Sequence, residues 1–134
     1  MSDSLRFELV SPERLLKDTT AAMVMVPGTD GDFAVLPGHA PMMSTIRPGV
    51  VEVYESEDGE AEHLFVKGGL AQVTSSGLTI LAEETLIVGD VDAADLAQKL
   101  SDAREDVEDA SDDIVRARAE KTVEWMEALT EVIS

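Results

Sequence analysis

At 134 residues and 44% apolar, the chain amounts to one domain or a small domain with an appendage, and it can bury a core without a covalent staple. The absence of cysteine excludes a disulfide scaffold, a thiolate metal site and a cysteine nucleophile. A net charge of −18 argues against nucleic acid and anionic lipid as partners, because no basic patch is available to displace counterions. Residues 1–89 and 90–134 each carry 14 acidic and 5 basic side chains, so both stretches are −9 although the second is half as long. Met1-Ser2-Asp3-Ser4 lacks the basic and apolar pattern of a signal peptide, and no apolar run approaches the ~20 residues of a membrane span. A cytoplasmic protein without direct membrane insertion is expected.

From residue 5 to about 91 the apolar pattern has period two and is broken roughly every 8–12 residues by turn chemistry, the signature of a sandwich or barrel. Leu5, Phe7 and Leu9 alternate with Arg6 and Glu8, a half-buried strand. Ala22 to Val26 is a continuous apolar run that suits a strand covered on both faces, and Phe33 to Leu36 is its return. Between them Asp30-Gly31 signals a tight hairpin, both central positions favouring positive φ. Pro37-Gly38 and Pro41 bracket a rigid loop around His39, and Met42 to Ile46 leads into Pro48-Gly49, which fits a type II turn. Val50 to Glu55 and His63 to Val66 flank a charged tip at Asp58-Gly59. Gly68-Gly69 suggests a bulge or corner. Val73 and Leu78 to Ala82 surround a turn at Ser76-Gly77, and Leu86 to Val88 closes a set of roughly nine antiparallel strands.

Near residue 90 the period changes to that of a helix. Asp92 is a good N-cap with Asp95 three residues on. Leu96, Leu100, Ala103 and Val107 then form one apolar stripe, and Val115, Ala119, Val123, Met126, Leu129 and Ile133 form a second. The segment from Glu108 to Asp112 interrupts the stripe and offers a new cap. A short link between amphipathic helices predicts an antiparallel hairpin. The fold class is therefore α+β: an N-terminal antiparallel β-sandwich over residues 1–90, followed by a two-helix hairpin over 91–134.

Little in the residues points to catalysis. His39 and His63 sit in no triad or metal spacing, and neither phosphate-cradling glycine motif is present. The acidic run from Glu105 to Asp113 lacks the ligand order and central glycine of a calcium loop. No catalytic residue, metal or cofactor is expected. Trp125 and Met126 suit either packing between the helices or an interface anchor.

The run from Pro27 to Pro41, with its Gly28-Thr29-Asp30-Gly31-Asp32 hairpin and Pro37-Gly38-His39-Ala40-Pro41 loop, strongly resembles the epsilon subunits of F-type ATP synthases. Phe7-Glu8-Leu9-Val10-Ser11-Pro12, Arg47-Pro48-Gly49-Val50, Val66-Lys67-Gly68-Gly69 and Leu81-Ala82-Glu83 follow in the family's order. The resemblance is close over residues 5–91 and architectural beyond them. It implies a non-catalytic rotor part at the foot of a central stalk, peripheral to the cytoplasmic face of the inner membrane. The implied partners are a gamma subunit, the c-ring and, through the helices, the alpha/beta catalytic hexamer. It further implies c-ring contact at Asp30, Gly31 and Asp32, gamma contact at His39 and Ser44, and a regulatory helical element carrying Arg104, Arg116, Arg118 and Trp125. Family members that bind ATP carry an arginine and an alanine three and four residues after the aspartate that Asp92 matches. Asp95 and Leu96 stand there instead, and a carboxylate repels phosphate, so no nucleotide site is expected. The competing readings are a free-standing ATP-sensing or regulatory binding module and a small hydrolase centred on His39.

Overall fold

The structure, a computed structural model, describes residues 4–56, 58–82 and 84–133. The motif residue Glu83 lies outside them. The protein divides into two units, Met1–Ile87 and Val88–Ser134.

The first unit holds ten strands: β1 (Leu5–Val10), β2 (Leu15–Ala21), β3 (Met23–Gly28), β4 (Gly31–Val35), β5 (Met42–Ile46), β6 (Gly49–Tyr54), β7 (Ala61–Val66), β8 (Gly69–Thr74), β9 (Gly77–Ala82) and β10 (Thr85–Ile87). One layer runs β10-β7-β6-β3-β4 and the other β5-β8-β9-β1-β2, joined edgewise at the single pair Gly28–Ile46. The inward residues of both layers form one apolar core in which Phe7, Val24, Val35, Val51, Val53, Val66 and Ile80 are fully buried. Strand alternation produces this directly, since Leu5, Phe7 and Leu9 point inward while Arg6 points out. The Lys17 ammonium bridges the layers to Glu62 at 2.7 Å.

Several details of the strands differ from the sequence expectation. An additional strand, β2, contributes only Ala21 to full burial, so its sequence Leu-Leu-Lys-Asp-Thr-Thr-Ala shows no clean alternation. As an edge strand it needs none. The β1–β9 pair runs parallel, from Arg6–Gly77 to Val10–Leu81, whereas the other pairs are antiparallel. Pro48-Gly49 is not a type II turn, because Gly49 lacks the positive φ such a turn requires. Gly49 instead opens β6, and a Cβ there would sit 2.9 Å from Pro27 Cβ. In the run from Ala22 to Val26 only Val24 and Val26 are buried, so it is not covered on both faces.

Gly68-Gly69 carries the backbone from one layer to the other, as a corner. Both residues have positive φ, 119° and 155°, and a Cβ on Gly69 would lie 2.1 Å from the Leu81 carbonyl oxygen. Only glycine fits there.

The second unit holds a short 3₁₀ turn (Val88–Asp90) and two helices, α1 (Ala93–Asp109) and α2 (Asp113–Ile133), packed on each other. Asp92 caps α1 by accepting from the Asp95 N–H at 2.9 Å. Asp112 caps α2 through the Val115 N–H, also at 2.9 Å. Leu96, Leu100 and Ala103 are buried on α1, and Met126 and Leu129 on α2. The outer members of the expected stripes do not follow them: Val107 is half-buried and Val115 exposed.

Candidate functional site

The β3–β4 hairpin turns one residue earlier than its sequence suggests. Gly28 pairs with Gly31, so Thr29 and Asp30 are the central residues, and neither has positive φ. Gly31 takes the positive φ of 137° immediately after the turn. Gly28 is required by packing: a Cβ there would fall 2.6 Å from the Gly31 carbonyl oxygen and 2.9 Å from the Phe33 ring.

The tip is tied to the end of β5 by a set of polar contacts. Thr29 N–H donates to the Thr45 carbonyl at 2.9 Å, and Thr45 Oγ1 donates to Thr29 Oγ1 at 2.8 Å. The Arg47 N–H donates to the Pro27 carbonyl at 3.0 Å. Arg47 Nη1 reaches the Gly28 carbonyl at 2.6 Å, and Nη2 pairs with Asp32 Oδ1. The hairpin is therefore a braced prong. Its two carboxylates differ in state: Asp32 is neutralised by Arg47, while Asp30 at the exposed tip has no ion pair among the described residues. Nothing local in the sequence marks Arg47 as the brace, because its partners lie 15 and 19 residues away.

His39 is half-buried in the β4–β5 loop. Its N–H donates to the Leu36 carbonyl at 3.1 Å, and its ring Nδ1 lies 2.7 Å from the Ala40 carbonyl. A carbonyl can only accept, so Nδ1 carries the proton. The ring is thus anchored to its own loop, and among the described residues no nucleophile or orienting carboxylate is hydrogen-bonded to it, as general-base work needs. It lines a groove of about 620 Å³ with Leu36, Pro41, Val73 and Ser76. Ser44, on the neighbouring strand, donates Oγ to the Thr45 carbonyl at 2.9 Å.

The exterior of the β5-β8-β9-β1-β2 layer carries an apolar row that sequence reading missed. Leu81 pairs with Leu70 on one side and Val10 on the other, and Val10 pairs with Leu15. Leu15 is 51% and Leu81 43% exposed. Met43, outward on β5, adds further exposed apolar surface. The row is assembled from four strands, so no single segment displays it.

On the helical unit, Arg104 is exposed on α1, while Arg116, Arg118 and Trp125 lie on α2. Arg116 pairs with Asp113 at 2.8 Å and reaches the Ala110 carbonyl at 3.5 Å, and so braces the inter-helix turn. At the start of α1, Asp95 pairs with Lys99 at 3.1 Å, leaving two carboxylates at the helix N-terminus. Among the described residues no group of three or more His, Asp or Glu could hold a metal ion, and no helix is long and apolar enough to cross a membrane.

Residues 4–87 match the beta-sandwich domain of the ATP synthase delta/epsilon subunits, and residues 92–134 match the C-terminal domain of the ATP synthase epsilon subunit. This protein belongs to the ATP synthase epsilon subunit family. An epsilon subunit of Maricaulis maris is 52% identical over 132 residues, covering 98% of each sequence. One from Rhodospirillum centenum is 46% identical, covering all of this sequence and 94% of that one. The fold is also that of a subunit in the Euglena gracilis mitochondrial ATP synthase (OSCP/F1/c-ring), with a TM-score of 0.85 at 24% identity over 100% of this protein and 84% of that one. A subunit of the Tetrahymena thermophila central stalk and c-ring assembly gives a TM-score of 0.64 at 10% identity, over 97% and 96%. The epsilon-family sandwich and helical hairpin are thus both present, in the family's order.

Proposed function

We propose that this protein is the epsilon subunit of an F-type ATP synthase, a non-catalytic part of the central stalk that couples proton flow through the c-ring to ATP synthesis by way of the gamma subunit. The full-length correspondence with curated epsilon subunits carries this reading. The subunit sits peripherally at the cytoplasmic face of the inner membrane. Residues 1–90 provide the gamma and c-ring contacts, and residues 91–134 form the regulatory element.

The geometry suits such a part. A coupler transmits torque only if its contact points do not yield, and the braced β3–β4 prong meets that requirement. Asp30, with Gly31 and Asp32 behind it, meets the polar loops of the c-ring. Asp32 acts indirectly, by fixing Arg47 against the hairpin backbone. His39 and Ser44 contact gamma, and the Leu70-Leu81-Val10-Leu15 row, at the other end of the β1–β9 pair from the His39 loop, offers gamma a separate apolar seat. The helices act weakly as a brake on hydrolysis in the alpha/beta hexamer. Arg116 is occupied by Asp113 and the Ala110 carbonyl, leaving Arg104 and Arg118 as the exposed arginines of the helical unit. Asp95 at the helix start disfavours ATP.

Detergent extraction of membranes followed by affinity capture of the tagged protein tests the assignment. Co-purification of gamma and c subunits is expected. A protein recovered only free of both overturns it.

A further inference from the structure

We propose that the helical hairpin is built in two halves, and that the half next to its turn opens and closes with ionic strength while the other half stays paired. The inference concerns the isolated protein and does not depend on the rotor assignment.

The buried seam is confined to one end. Leu96, Leu100 and Ala103 on α1, and Met126 and Leu129 on α2, all lie away from the turn. Among the described residues from 104 to 125 none is buried. Helices in proteins are stabilised mainly by packing of an apolar face, so this half has the weaker support.

The approach to the turn also carries the densest acidic run of the unit, five carboxylates within the last eight residues of α1. Asp102, Glu105, Asp106, Glu108 and Asp109 fall in the final turns of α1. The pairs 102–105, 102–106, 105–108, 105–109 and 106–109 are three or four apart, so each places like charges side by side. No basic residue occupies the last turn, and carboxylates there oppose the helix dipole, whose negative end is the C-terminus. Arg104 can offset only Glu108, four residues on. Across the helix pair Arg118 lines a shallow hollow of about 370 Å³ with Asp106 and Asp109, yet it forms no ion pair with either among the described residues. Arg116 is already engaged with Asp113. The repulsion is exposed to solvent, which makes it the kind of interaction that salt screens: the screening length falls from ~30 Å at ~0.01 M to ~3 Å at ~1 M.

Hydrogen exchange of the full-length protein at those two sodium chloride concentrations tests the proposal. Amides of residues 104–122 should exchange about tenfold more slowly at high salt, while those of 96–103 and 123–129 change by less than about twofold. The combined variant Glu105→Gln, Asp106→Asn, Asp109→Asn should be protected already at low salt and lose the response. A salt effect equal in both halves overturns the proposal, as does no salt effect, or a response that survives in the variant.

Discussion

The sandwich and the helical hairpin carry the same net charge of −9, but they hold it on very different frames. The sandwich closes two layers over a core with many fully buried side chains, and each of its strands is fixed by ladders to its neighbours. The hairpin buries five apolar residues along one seam and has twice the charge density. Equal charge is therefore harmless in one unit and decisive in the other. Surface charge matters where little apolar burial opposes it.

The largest test of that contrast is a cavity in the sandwich. Phe7 is fully buried, so Phe7→Ala should lose about 3–5 kcal/mol, read as a lowered denaturation midpoint of the sandwich. A loss below that of any hairpin substitution would remove the distinction. Leu129→Ala comes next. Its seam is thin and relaxes easily, so the expected loss is ~2–3 kcal/mol, seen as faster exchange throughout α1 and α2 with the sandwich amides unchanged.

These two substitutions also mark what the sequence made legible. Phe7 was readable because strand alternation is local, and Leu129 because it sits on a stripe with Met126. Asp92 was readable as a cap for the same local reason. The rest depended on residues far apart in the sequence. β2 showed no pattern because an edge strand buries little. Pro48-Gly49 has turn chemistry, but Gly49 answers to the approach of Pro27 across the sheet. The hairpin was correctly placed yet shifted by one residue, since the Gly28–Gly31 pairing decides which two residues lie at the tip. The prong's brace, Arg47, and the apolar row through Leu81 exist only after strands are brought together.

Smaller effects sharpen the account of the prong. Arg47→Ala removes a solvent-exposed ion pair and one hydrogen bond, so the stability loss should be only about 1 kcal/mol. Its signature is local: faster exchange at Thr29, Asp30 and Gly31. Unchanged exchange there would show that the threonine contacts alone hold the tip. The smallest effect belongs to Asp18. Its carboxyl is held below the ordinary carboxylate value, chiefly by the hydrogen bond from the Arg6 guanidinium. That contribution is present above the ordinary carboxylate value and is lost as pH falls through the lowered one. Both groups are exposed, so Asp18→Asn should lower the Tm at neutral pH by no more than ~2 °C, with the difference from the unsubstituted protein vanishing in acid.

The division of labour between the two units is tested most directly by truncating the protein after Asp90 within the assembled synthase and measuring ATP hydrolysis together with ATP-driven proton pumping. The sandwich alone should keep hydrolysis and pumping coupled, at a rate close to that of the intact complex. Uncoupled hydrolysis, or a several-fold rise in its rate, would contradict the account, the first by showing that the sandwich is not the coupler and the second by showing that the hairpin is a strong brake.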